Sequence, residues 1–163
     1  MTTSKIDELR ELVAVVGRRQ TEYWRFFPDF AVQIESELGE YLGDKASVAL
    51  SSATGDFSFD HGSYRAEGLG FEKGKFRIPL MFRLKNLHDE GDLLIRIRLF
   101  FVMGEKALLA WIEKDDPITF VSTDLKPLLD GIYEHLVEAL SSSAWFDENP
   151  GNYQQTRIGF QRA

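Results

Sequence analysis

The sequence predicts an α+β fold with two N-terminal helices, an antiparallel meander of about six strands, and a long C-terminal helix packed on the sheet. Two observations indicate this fold. Apolar residues recur every three or four positions before residue 43 and after residue 124, and they alternate with polar residues between residues 46 and 121. These periods are typical of amphipathic helices and half-buried strands, and a sheet with an apolar face needs helices to cover it.

The first predicted helix runs from about Lys5 to Phe26. Ser4 followed by Asp7 resembles a capping box, in which Asp7 takes the place of the usual glutamate. Apolar residues at helical spacing then form one stripe, which is typical of a helix that covers a core. The stripe consists of Ile6, Leu9, Val13, Val16 and Tyr23.

The second predicted helix begins at Pro28 and ends near Tyr41. Proline disfavours helical geometry in the residue before it, so Pro28 is expected to separate two helices joined by a short elbow. Gly43 is expected to cap the C-terminus of the second helix. The apolar side of this helix consists of Phe30, Ile34, Leu38 and Leu42.

Strands are predicted where apolar and polar residues alternate. The clearest stretch is Lys75–Leu84, in which Phe76 and every second residue after it are apolar. Pro79 cannot donate a backbone hydrogen bond, so this strand is expected to be an edge strand or to carry a bulge. The other predicted strands comprise residues 46–50, 57–59, 64–71, 93–102, 105–113 and 118–121.

The two longest strands are expected to form a hairpin with one apolar face and one mixed face. Pairing Leu84 with Leu93 builds the apolar face from Phe82 opposite Ile95, Leu80 opposite Ile97 and Ile78 opposite Leu99. The reverse face then carries four arginines, and a two-residue turn at Met103–Gly104 adds Trp111 opposite Arg96. This Arg/Trp face consists of Arg77, Arg83, Arg96, Arg98 and Trp111.

The third predicted helix begins at Ser122–Asp124 and ends near Ser143, because polar capping residues precede a broad apolar stripe. After it, Tyr153–Phe160 is expected to form a short strand or an ordered tail. The stripe consists of Leu125, Leu128, Leu129, Ile132, Leu136, Val137 and Leu140.

Composition limits the classes of function. The 163 residues suit a single domain spanning residues 1–163, and the net charge of −7 disfavours nucleic acid as a partner. The chain has no cysteine, which excludes disulfides and thiolate metal sites and favours the cytoplasm. The longest uncharged run, residues 46–55, is too short to cross a membrane, so a soluble protein without a membrane partner is expected.

The Arg/Trp face is the best candidate for a binding site. Arginine beside tryptophan suits anionic or planar partners, through paired hydrogen bonds and cation–π contact. The same arginines can instead pair internally with the acidic residues of segment 112–149. No motif in the chain is diagnostic of an enzymatic reaction, and no cofactor is predicted. The sequence therefore favours a non-enzymatic domain that binds another protein, or a second copy of itself, through this face.

Two alternatives stay open. The order of elements resembles that of helix-grip ligand-binding domains, which implies a carrier of an apolar small molecule in a cavity beneath Phe76, Phe82, Trp145 and the third helix. A metal-assisted hydrolase would instead use Asp56, Asp60 and His61, since metal sites need clustered histidine and carboxylate ligands. Turn-forming residues also cluster around His61 for backbone reasons alone, and the sequence favours a solvated turn here over a metal site.

Overall fold

The computed structural model describes residues 4–50, 68–85, 92–113, 116–141 and 157–161. Over these residues the chain forms one long helix, an antiparallel sheet and a C-terminal helix, which confirms the predicted α+β class and the antiparallel sheet. The predicted strand at 57–59, the residues Asp56, Asp60 and His61, and Trp145 lie outside the described residues.

The first helix, α1, spans Lys5–Leu42 without interruption. The predicted N-cap is confirmed, because the Ser4 hydroxyl accepts a hydrogen bond from the Asp7 amide at 3.3 Å. The predicted C-cap is confirmed as well, since Gly43 has a φ of 77° and donates to the carbonyl oxygen of Glu40. The prediction of two N-terminal helices separated at Pro28 is wrong, because Pro28 lies inside α1.

Burial on both sides of Pro28 explains why the helix continues through it. A proline inside a helix costs roughly 3 kcal/mol, because it lacks the amide hydrogen and crowds the carbonyl four residues earlier. Phe27, Phe30 and Ile34 are almost completely buried, and each contributes roughly 1.5–3 kcal/mol on burial. Their sum exceeds the proline penalty, so tertiary packing overrides the local rule.

The sheet has seven strands among the described residues, and every pairing is antiparallel. Its centre is a long hairpin of two strands, and shorter strands line both edges of that hairpin. The strands are β1 Val48–Leu50, β2 Gly70–Glu72, β3 Lys75–Lys85, β4 Asp92–Met103, β5 Leu108–Ile112, β6 Ile118–Phe120 and β7 Arg157–Gln161. The second helix, α2, spans Lys126–Ser141.

Each edge of the central hairpin is shared by two short strands. On the β3 side, β2 pairs with residues 75–77 and β1 pairs with residues 80–82. Pro79 lies in the gap between them, so β3 is neither a simple edge strand nor a bulged one, and the missing amide donor falls where the ladder is interrupted. On the β4 side, β5 pairs with residues 99–103 and β7 with residues 92–96.

The predicted register of the central hairpin is confirmed: Phe82 lies opposite Ile95, Leu80 opposite Ile97 and Ile78 opposite Leu99. All of these side chains are fully buried in the main core. The second half of α1 and helix α2 cover this same face. At the α2 contact, a Cβ on Gly131 would meet the terminal methyl group of Ile118 at 2.3 Å, so a larger residue there would have to displace the end of the Ile118 side chain.

The two helices meet where Tyr41 of α1 donates a hydrogen bond to Asp130 of α2 at 2.6 Å. Lys126 donates to the same carboxylate at 2.8 Å. The hydrogen bond from Lys126, followed by the one from Tyr41, lowers the pKa of Asp130, and the hydrogen bond to Asp130 raises the pKa of Tyr41 to about 12. The contact is therefore complete when Asp130 is charged and Tyr41 is neutral.

We expect this contact to weaken at both ends of the pH scale. The lowered pKa of Asp130 stabilises the fold above the ordinary carboxyl pKa of about 4, and that contribution is lost as the pH falls below it. The raised pKa of Tyr41 has its effect below about pH 10, and this contribution is lost as the pH rises toward 12.

Ultraviolet absorbance is followed as the pH is raised, both for the native chain and for Tyr41→Phe. The difference between the two titrations measures the ionisation of Tyr41. It should occur near pH 12 in the native chain and shift toward about 10 in Asp130→Asn. Circular dichroism at each pH confirms that the chain is still folded. Ionisation of Tyr41 near 10 in the native chain would contradict the assignment.

Candidate functional site

The Arg/Trp face is assembled on the reverse face of the sheet, opposite the main core. The β3–β4 register places Arg77 opposite Phe100, Met81 opposite Arg96 and Arg83 opposite Leu94. Directly opposed residues in an antiparallel pair share a face, and side chains alternate along each strand. The four arginines therefore share one face, as the alternation predicts.

Trp111 joins this face at a different position from the predicted one. It lies opposite Phe100, and the prediction that it faces Arg96 is wrong. The β4–β5 loop is longer than a two-residue turn, since Met103 pairs with Leu108 and the Gly104 amide donates to the Ala107 carbonyl. The register differs from the predicted one by an even number of residues, and such a shift keeps a side chain on the same face of the sheet. The prediction that Trp111 lies on the Arg/Trp face is therefore correct, although its predicted neighbour is not.

Lys75 covers Trp111, a contact that the sequence pattern does not predict. The Lys75 ammonium nitrogen lies 4.0 Å from the centre of the Trp111 ring, a cation–π contact. Residue 75 is on the same face as Arg77 because the two are separated by one residue along β3. Only the position of Trp111 along β5, which depends on the loop length, brings the two side chains together.

The arginines of this face pair with carboxylates of the sheet itself. Glu72 of β2 lies 3.0 Å from Arg77 and 3.6 Å from Arg98, so one carboxylate bridges two guanidinium groups. Asp92 at the start of β4 pairs with Arg83 at 2.5 Å. Internal pairing of this kind is the alternative that the sequence left open, although only Glu113 of the described partners belongs to the acidic segment 112–149.

Glu113, the residue after the end of β5, forms two hydrogen bonds with the backbone of Arg98 in β4. Its amide donates to the Arg98 carbonyl at 3.2 Å, and its carboxylate accepts from the Arg98 amide at 2.9 Å. The same carboxylate lies 3.8 Å from the Arg98 guanidinium group. Glu113 has a φ of 59°, an uncommon conformation for a residue with a side chain, which these contacts hold in place.

Burial differs strongly among the arginines. Arg96 is only 8% exposed, and its neighbours Met81 and Leu94 are buried as well. The side chain of Arg83 is 44% exposed and is the most accessible of the four. A partner approaching this face would therefore reach Arg83 most readily. The binding role of the whole face stays a prediction.

A second surface lies on α1, whose first half extends away from the rest of the described structure. Every residue from Lys5 to Glu22 is exposed, and Tyr23 is the first buried residue of the helix. We call residues 5–22 the projecting segment. At 1.5 Å per residue it is about 27 Å long.

The projecting segment carries an apolar stripe, which we define as Ile6, Leu9, Leu12, Val13 and Val16. These side chains are between 53% and 70% exposed. On a helical wheel the stripe is a direct continuation of the buried face of α1, which contains Tyr23, Phe27 and Phe30. Helical spacing predicts that most of this stripe covers the core, but only the second half of α1 does so.

Phe76, one of the residues predicted to line a ligand cavity, lies in a cluster of aromatic rings beside α1. Phe76 and Phe82 are both fully buried. The Phe76 ring lies 4.8 Å from that of Phe27, 5.1 Å from Trp24 and 5.4 Å from Phe71, measured between ring centres. A ligand beneath Phe76 would have to displace these rings.

The described part of the chain contains no group of three or more histidine or carboxylate side chains that could hold a metal ion. His135 of α2 is half-buried. No helix in the described ranges is both long enough and apolar enough to span a membrane.

Comparison of the chain with protein-family models, with curated proteins and with solved structures returned no match. Its function is therefore inferred from its own residues.

Proposed function

We propose that this chain is a protein-binding domain that docks an amphipathic helix of another polypeptide along its projecting segment. The observation that carries the proposal is the apolar stripe, which is exposed to solvent from Ile6 to Val16. A helix-in-groove or helix-on-helix partner is anchored by apolar residues at this spacing. The arginines of the Arg/Trp face are less available for binding a partner, because they already form ion pairs with the chain's own carboxylates.

The middle of the projecting segment is its weakest part as an isolated helix. Val13, Val15, Val16 and Gly17 are poor helix formers, because β-branched side chains lose rotamer freedom and glycine loses backbone entropy. A helix of this length without tertiary contacts is marginal in water, and most helical stability comes from burial of an apolar face. A partner on the stripe would provide that burial.

A membrane surface suits the segment less well than a protein. Helices that lie in a bilayer interface are rich in lysine and arginine on their polar side. The projecting segment has four basic and four acidic residues, a net charge of zero. Mixed charges beside an apolar stripe are typical of helices that pair with other helices.

Photo-cross-linking in the producing cells tests the proposal. A photoreactive phenylalanine analogue placed at Leu9 lies on the stripe, and the same analogue at Ala14 lies on the opposite side of the helix. We expect polypeptide adducts from position 9 and few from position 14, with the linked residues of the partner falling on one face of a helix. Equal yields at both positions, or adducts with lipid alone, would overturn the proposal.

A further inference from the structure

We propose that the projecting segment of one chain docks on the outer side of α2 in a second copy, so that two different surfaces of the same chain bind one another. The inference rests on the proposed function, because it names the helix that the projecting segment binds. Three observations support it: an exposed apolar patch beside α2, opposite charges around the two surfaces, and the length of α1, which keeps the two surfaces of one chain apart.

The exposed apolar patch lies where α2 meets the end of α1. The ring centres of Tyr41 and Tyr133 are 6.2 Å apart, and Val137 follows Tyr133 by about one helical turn. Positions 133, 137 and 140 have the i, i+4, i+7 spacing of residues that anchor one helix on another. We define the α2 patch by four side chains that are between 38% and 48% exposed: Tyr41, Tyr133, Val137 and Leu140.

The end of the molecule that carries the α2 patch is acidic. Residues 35–45 and α2 together carry seven acidic and two basic residues, a net charge of −5. Both basic residues already form ion pairs there, Lys45 with Glu40 at 3.0 Å and Lys126 with Asp130 at 2.8 Å. A surface that docks on the α2 patch is therefore expected to be basic.

The side of the projecting segment that carries the stripe is basic. Successive residues of a helix are about 100° apart around its axis, which divides the eight charged residues of the segment into two groups. One group faces away from the stripe and has a net charge of −2: Asp7, Glu11, Arg18 and Glu22. The other group lies on or beside the stripe and has a net charge of +2: Lys5, Glu8, Arg10 and Arg19. Arg10 also pairs with Asp7 at 3.1 Å, so Lys5 and Arg19 supply most of the positive charge that a partner would meet.

The length of α1 prevents the stripe from reaching the patch of its own chain. The helix is continuous from Lys5 to Leu42, and Val13 lies about 42 Å from Tyr41 along its axis. Two stripes would bring like charges together, which is unfavourable, whereas a stripe and a patch carry opposite charges. A contact between unlike surfaces closes into a ring or continues to further copies, so the native chain is expected to form dimers or larger assemblies.

Mixing two variants that each lack one surface tests the contact. Val13→Asp places a carboxylate in the stripe, and Val137→Asp places one in the α2 patch. We expect each variant alone to sediment as a monomer, with the dissociation constant raised about 100-fold or more, because a charge would have to be buried at the contact. An equal mixture should form a one-to-one complex, since Val137→Asp keeps its stripe and Val13→Asp keeps its patch.

Two matched variants control for the added charge. Ala14→Asp adds a carboxylate to the projecting segment on the side opposite the stripe. Val32→Asp repeats the substitution made at Val137 at a side chain that is 48% exposed and belongs to neither surface. Both controls should assemble as the native chain does, and all four variants should keep the native circular dichroism.

The neighbouring residues Arg18 and Arg19 test the contribution of charge. Arg19 lies beside the stripe, whereas Arg18 lies on the opposite side of the helix. Arg19→Glu should therefore weaken assembly about 5- to 10-fold, and Arg18→Glu should weaken it less than about 2-fold. Equal effects of the two reversals would contradict the attraction between the stripe and the patch.

Three further results would overturn the inference: a native chain that sediments as a monomer at high micromolar concentration, assembly that survives Val13→Asp or Val137→Asp, or a mixture of these two variants that stays monomeric. A monomeric native chain with helical adducts from other proteins at position 9 would leave the proposed function standing and remove only the second copy. A monomer that gives no adducts at all would remove both.

Discussion

Replacing Phe27 by alanine is expected to lower the free energy of unfolding by about 3–5 kcal/mol. Phe27 is fully buried, and its ring lies 4.8 Å from that of Phe76 and 5.5 Å from that of Phe101. It therefore joins α1 to both strands of the central hairpin. Its loss would also remove much of the packing that offsets the cost of Pro28.

Chemical denaturation followed by circular dichroism measures this effect, and Phe26→Ala is the matched control. Phe26 is the neighbouring aromatic residue but is only half-buried, so its loss should cost clearly less. If Phe27→Ala does not fold, Phe27→Leu keeps most of the volume and should fold with a smaller loss. Equal losses at positions 26 and 27 would show that Phe27 does not hold the helix to the sheet.

Reversing the charge of Arg98 is the second large effect that we expect. Arg98→Glu would place a third carboxylate beside Glu72 and Glu113 and remove the cation that they share. Breaking a fully buried pair costs roughly 3–5 kcal/mol. Because the Arg98 side chain is 30% exposed, solvent screening reduces our expectation to about 2–3 kcal/mol.

Arg83→Glu is the control for this change on the same face. Arg83 is more exposed to solvent than Arg98, so the reversal should cost about 1 kcal/mol or less. Chemical denaturation of both variants, followed by circular dichroism, measures the two losses. Equal losses at positions 83 and 98 would contradict the role of Arg98 in pairing with both Glu72 and Glu113.

The parts of the fold that were predicted correctly depend on local sequence patterns. The β3–β4 register follows from alternation across one short polar turn, and the caps of α1 follow from Ser4 and Gly43. Pro28 was misinterpreted because the rule for proline is local, whereas the burial of Phe27 and Phe30 depends on distant strands.

The candidate site was harder to predict than the fold. Alternation determined the face of Trp111 but not its partner, since a loop of different length changes the register without changing the period. The pairing of Arg77 and Arg98 with Glu72 depends on β2 lying along one end of β3. Helical spacing identified most of the stripe on α1, but spacing alone does not say which half of a helix contacts the sheet.

The division of the β4 edge between β5 and β7 has a consequence for the newly made chain. Residues 92–96 of β4 pair with residues 157–161, which are synthesised about sixty residues later. At a translation rate of about 5–20 residues per second, this edge of β4 stays unpaired for roughly 3–12 s before its partner strand is synthesised. An unpaired apolar edge is a template for intermolecular strand addition, so translation speed through α2 is expected to influence how much of the chain aggregates before it folds.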